Sequence, residues 1–153
     1  MNRLFSILIG IIVLALSGCT ASKTVVSKNA DLAKYKYATI LNTEAYRIPA
    51  ELVQYEIQLF DAVESSGLQL ISGWRIAELT PEQKSELLLV KYGVSKEHNT
   101  TIETIVTVNF IDYMSGRPIA SCQGVCALGI TEAGDLEGAI KEVAKQISAT
   151  FQK

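Results

Sequence analysis

A chain of 153 residues is about the length of one ordinary domain, and 48% hydrophobic against 20% charged residues excludes a disordered chain. Lys and Arg number 14 against 16 Asp and Glu, a net charge of −2, which argues against a surface that reads nucleic-acid phosphates. Ten Gly and three Pro exclude collagen-like or linker-dominated sequence.

Met1-Asn2-Arg3 carries one positive charge, and the apolar run from Leu4 to Leu16 follows it directly. At 1.5 Å per residue that run covers roughly 20 Å as a helix, short of a hydrocarbon core of about 30 Å. It therefore has the proportions of a secretory signal rather than of a spanning segment. At its end, Leu16-Ser17-Gly18-Cys19 resembles the lipobox of bacterial lipoproteins, a resemblance confined to residues 1–19. What it implies is cleavage between Gly18 and Cys19 and a thioether-linked diacylglyceryl group on the Cys19 sulfur. Each buried methylene is worth about 0.8 kcal/mol and one acyl chain holds only marginally, so the two or three fatty chains of this family make attachment effectively permanent. Thr20, in place of Asp after the lipidated cysteine, implies sorting to the outer membrane of a Gram-negative cell. Thr20-Ala21-Ser22-Lys23 has no acidic tract, which favours the periplasmic face. Loss of Arg3 with the leader makes the mature chain one unit more negative.

The domain organisation that follows is a signal peptide at residues 1–18, a lipidated tether at 19–30, in which Val25-Val26 could add an edge strand, and a single domain at 31–153. Tyr35 to Leu41 is rich in β-formers and reads as the first strand. Pro49 and Gly67 bracket a helix over Ala50 to Ser66, with Leu52, Val53, Ile57, Leu59, Phe60 and Val63 expected on the face that packs on a sheet. Leu68 to Ser72 reads as a second strand, parallel to the first across the helix. Thr80-Pro81-Glu82-Gln83 is a capping-box pattern for a short helix.

Leu87 to Val94 is apolar enough for a sheet-centre strand. Ile102 to Asp112 alternates, with Val106, Val108 and Phe110 on one side. Asp112-Tyr113-Met114-Ser115-Gly116-Arg117 reads as a hairpin turn, and Pro118 to Leu128 as the return strand. Ala120, Cys122, Gly124 and Cys126 share a face of that strand, small enough to let a helix approach closely. Asp135 is expected to cap a last helix whose stripe is Leu136, Ile140, Val143, Ile147 and Phe151. This order predicts an α+β fold, a two-layer sandwich with a mixed sheet of about five strands and two main helices on one face. The Tyr-Lys-Tyr strand, the helix ending in Gly and the Asp-x-x-Ser-Gly-Arg hairpin resemble small lipoproteins of Gram-negative envelopes over residues 31–151. That likeness implies fold and compartment and carries no catalytic residue.

With Cys19 set aside, Cys122 and Cys126 remain in an oxidising compartment. Four residues of strand span about 13 Å, beyond the roughly 7 Å that a disulfide tolerates, so a bridge requires the chain to double back at Gly124. Otherwise both read as small buried residues. No metal ligation and no cofactor is expected. His98, the only histidine, lies in a polar link, Lys96 to Thr100, and reads as a solvated turn residue. Glu56 is the one carboxylate inside the apolar arc of its helix. The tyrosines read as packing at the sheet and its rim, whereas Trp74 with Arg75, between the second strand and the short helix, is the candidate ligand contact. The expected role is a non-enzymatic, membrane-tethered protein that binds an envelope protein or polymer, with no nucleic-acid partner. A carboxylate-dependent envelope hydrolase and a surface-exposed adhesin are the alternatives.

Overall fold

The computed structural model describes residues 22–41, 50–98, 102–127 and 131–152. The leader, Cys19 and Tyr46 lie outside the described residues. Nine elements follow in order: β1 (Lys23–Val26), β2 (Tyr37–Ile40), α1 (Ala50–Ser65), β3 (Gln69–Leu70), α2 (Pro81–Ser85), β4 (Leu87–His98), β5 (Ile102–Asp112), β6 (Pro118–Cys126) and α3 (Glu132–Phe151). Short 3-10 segments at Leu32–Lys34 and Gly73–Glu78 complete them.

The strands form one mixed sheet in the order β1-β6-β5-β4-β2-β3. β2 runs parallel to β3, as the strand-helix-strand pattern predicts, and also to β4, while the remaining pairs are antiparallel. The sheet has six strands rather than five. The additional one is β1, drawn from the stretch read as tether, where Thr24 and its neighbours pair with β6 from Lys23↔Gln123 to Val26↔Ala120. The backbone of this stretch completes a sheet edge, which offsets its weak hydrophobic pattern. β4 also runs further than expected, so Lys96, Glu97 and His98 belong to a strand paired with β5 and not to a link.

Period-two alternation puts Val106, Val108 and Phe110 of β5 and Leu88 and Val90 of β4 beneath the helices, all essentially without exposure. α3 lays Leu136, Ile140, Val143 and Ile147 onto that surface, the stripe its spacing predicts. Its cap is Thr131, whose side chain accepts from Gly134 N at 3.2 Å. Asp135 is not the cap, because helical backbone already begins at Glu132; it lies buried in the first turn, where a negative charge suits the helix dipole. The α2 capping box forms in both directions, between Thr80 Oγ1 and Gln83 N at 3.2 Å and between Gln83 Oε1 and Thr80 N at 3.0 Å.

The small face of β6 does what its sequence implies. A Cβ placed on Gly124 would lie 2.1 Å from the Ala139 carbonyl oxygen and 2.5 Å from Val143 N, so the α3 backbone rests directly on the strand. Where the chain turns, Gly67 after α1 and Gly116 in the β5–β6 hairpin hold φ of 93° and 68°, conformations that side chains disfavour.

Candidate functional site

α1 carries two apolar stripes, and the sheet uses one. Tyr55, Leu59 and Val63 are buried, spaced i, i+4, i+8. Val53, Ile57 and Phe60, expected in the same core face, lie about 120° around the helix from them at 3.6 residues per turn. They are exposed, Ile57 to 56%. The correction has a simple cause: the sheet meets only a limited arc of a helix, and the broad arc read from sequence spanned both stripes. The exposed signal was present in the sequence as a second i, i+4, i+7 series.

Trp74, the sequence-derived contact, is 77% exposed on the turn that follows β3. Arg75 beside it places its guanidinium 5.9 Å from the indole centroid and donates to Glu78 Oε2 at 3.0 Å. Phe60 of α1 and Trp74 share a shallow groove of about 490 Å³, floored by Ile40, Leu70 and Ile71 and edged by Glu64. The groove lies at the β3 end of the sheet. The structure thus brings Trp74 together with Phe60, which the sequence reading had assigned to the core.

Two carboxylates, Glu56 and Asp112, are held in bonds that fasten the fold. Glu56 accepts a hydrogen bond from Tyr92 Oη of β4, fastening α1 to the sheet. Burial, and then this bond to a carboxylate, push the Tyr92 phenol above its usual range. Asp112, 6% exposed at the end of β5, accepts from Tyr35 Oη at 2.8 Å, Lys34 Nζ at 3.2 Å and both Ser115 N and Ser115 Oγ at 2.7 Å. Burial pushes its carboxyl up, but the Ser115, Tyr35 and Lys34 bonds outweigh that and hold it well below the ordinary carboxylate range. The Tyr35 phenol moves above its usual range, chiefly through burial and then through the Asp112 bond.

Cys122 and Cys126 are buried, unbridged thiols on an extended strand, so the doubling-back that a bridge requires does not occur. Burial pushes the Cys122 thiol up. No group of three or more metal-ligating side chains gathers among the described residues. No helix among them is long and apolar enough to cross a membrane.

No protein-family model matches this chain, and no curated protein sequence matches it. Solved structures do match, and they define it as an α+β domain of a known arrangement. The PelC dodecamer from Paraburkholderia phytofirmans aligns over 87% of this chain and 100% of that one, with a TM-score of 0.56 and 15% identity. A single-residue variant of that dodecamer aligns over the same shares with a TM-score of 0.53 and 13% identity. A PDZ domain protein from Parabacteroides distasonis aligns over 88% of this chain but 36% of its own, again with a TM-score of 0.53 and 13% identity. At these identities the likeness is one of fold.

Proposed function

We propose that this chain is a lipid-anchored accessory of the Gram-negative envelope, held through acyl chains on Cys19 at the periplasmic face of the outer membrane, and that it acts by binding and assembly rather than by catalysis. The observation that carries the binding role is the uncovered apolar stripe Val53, Ile57 and Phe60 of α1, whose Phe60 shares a groove with the exposed Trp74. Large apolar side chains gathered on a surface lose little by being there only if something covers them. The engagement of Glu56 and Asp112 in structural bonds supports the same reading, since neither carboxylate stands ready to exchange a proton with a substrate. The fold is also that of a protein described as a dodecamer, which supports a role in assembly.

β1 adds a geometric consequence to the anchor. Four Cα steps separate Cys19 from Lys23, a reach of at most about 14 Å, so the β1 edge would stand close to the bilayer. Two measurements test the proposal. Mass spectrometry of the native polypeptide should find Cys19 as an acylated N-terminus; an unmodified Cys19 or an intact Met1 overturns the anchor. Crosslinking in intact membranes should yield adducts to this chain that vanish in a Trp74→Ala, Ile57→Ser form; identical adducts from both forms overturn the assignment of this surface.

A further inference from the structure

The two ends of the sheet are both apolar and oppositely charged. At one end β1 is an edge strand with Val25 53% exposed and Val26 exposed beside it, flanked by Lys23 and Lys28. At the other, five strand spacings or about 24 Å away, the α1 stripe and Trp74 are flanked by the exposed carboxylates Asp61 and Glu64. Among the described residues none of these four charges enters an ion pair, although six other pairs form. The molecule thus carries an apolar edge flanked by Lys23 and Lys28 and, on the opposite flank, a grooved apolar surface flanked by Asp61 and Glu64, where Arg75 beside Trp74 is neutralised by Glu78. Surfaces that complement each other but not themselves join copies head to tail, and such contacts repeat from copy to copy instead of closing as a two-fold pair.

We propose that the occupant of the Trp74 surface is a second copy of this chain, the Val25–Val26 edge of one copy seating against Ile57, Phe60 and Trp74 of the next, with Lys23 and Lys28 facing Asp61 and Glu64. This deepens the assembly reading given above and rests on it for the setting, since chains anchored in one leaflet meet at a raised effective concentration. β1 is also the described element nearest Cys19, so the anchor would hold that edge at the same height in every copy.

Disulfide trapping in membranes from cells expressing the full chain provides the test. Paired Val25→Cys and Ile57→Cys substitutions in one chain should give, without reductant, a ladder reaching trimers and beyond, while either substitution alone should give no ladder. Dimers from a single substitution would reveal a two-fold contact and overturn the proposal. A Lys23→Glu, Lys28→Glu form should lose at least about tenfold of the trapped material, and Asp61→Lys, Glu64→Lys in the same chain should restore it; trapping indifferent to both changes overturns the charge pairing. Sedimentation of the charge variants without added cysteines repeats the comparison independently of any folding effect of the new thiols. The same ladder in a Cys19→Ala chain supports the contact without reference to the anchor. A ladder confined to the acylated chain supports a contact that needs the concentration of a surface. Monomers in both forms overturn the contact and leave the anchoring reading standing.

Discussion

Tyr35 Oη lies 2.8 Å from Asp112 Oδ2 and donates to it, joining the chain just before β2 to the hairpin between β5 and β6. The same carboxylate takes Lys34 Nζ and two groups of Ser115, so one buried side chain fixes both a hairpin and the crossing of two distant segments. Hydrogen bonds to a charged group are worth about 1.5–3 kcal/mol, and removing the acceptor leaves its donors unsatisfied. Asp112→Ala should therefore destabilise the fold by about 2–3 kcal/mol in urea denaturation at neutral pH.

The same group sets an acid limit. Because the folded pKa lies below the ordinary value of 3.8, the stability it contributes is fully present above that value and is lost as pH falls through the folded pKa. The native chain should lose stability between pH 4 and the acid limit, and Asp112→Asn should show a flatter slope there. Paired denaturation curves above and below about pH 4 check this, and parallel slopes in the two proteins would remove Asp112 as the cause.

Gly124 and Gly93 make a matched pair on neighbouring regions of the same sheet. A Cβ at Gly124 would strike the α3 backbone, which has no flexible end to move aside, whereas a Cβ at Gly93 meets nothing within 4 Å. Overpacking ordinarily costs about 1–3 kcal/mol, and a clash with backbone belongs at the top of that range or beyond. Gly124→Ala should lower thermal stability by about 3 kcal/mol or more, and Gly93→Ala should change it by less than about 0.5 kcal/mol.

What the sequence disclosed follows from how local each cause is. The β5 alternation, the α2 capping box and the small face of β6 are set by residues a few positions apart, and all three appear as their spacing predicts. β1 was harder, since Lys23 to Val26 becomes a strand only through pairing with residues about a hundred positions away. Trp74 was legible as an exposed contact by its place with Arg75 between a strand and a short helix. Its companions Val53, Ile57 and Phe60 were not, because periodicity reports that a helix has apolar faces but not which of them the sheet will reach.

The buried thiols give a prediction that depends on β6 remaining extended. Cys122 and Cys126 are both shielded, so a thiol-specific reagent should leave them unmodified in the native protein and modify both after denaturation without reductant. Mass spectrometry counts the additions. A chain that gains none after denaturation would carry a bridge, and β6 could not then be the strand described.

The two stripes of α1 can be separated by substituting two residues of one helical turn that face different ways. Leu59 is 4% exposed and packs in the core, so Leu59→Ala should destabilise by about 2–5 kcal/mol through lost contacts and the cavity left behind. Ile57, two positions earlier and more than half exposed, makes no such contribution, and Ile57→Ser should shift stability by no more than about 0.5 kcal/mol. Sedimentation should show the reverse order, with Ile57→Ser reducing association while the monomer stays as stable as the parent. If Ile57→Ser instead unfolded the monomer, the residue would belong to the core after all, and the surface formed with Phe60 and Trp74 would lose its central member.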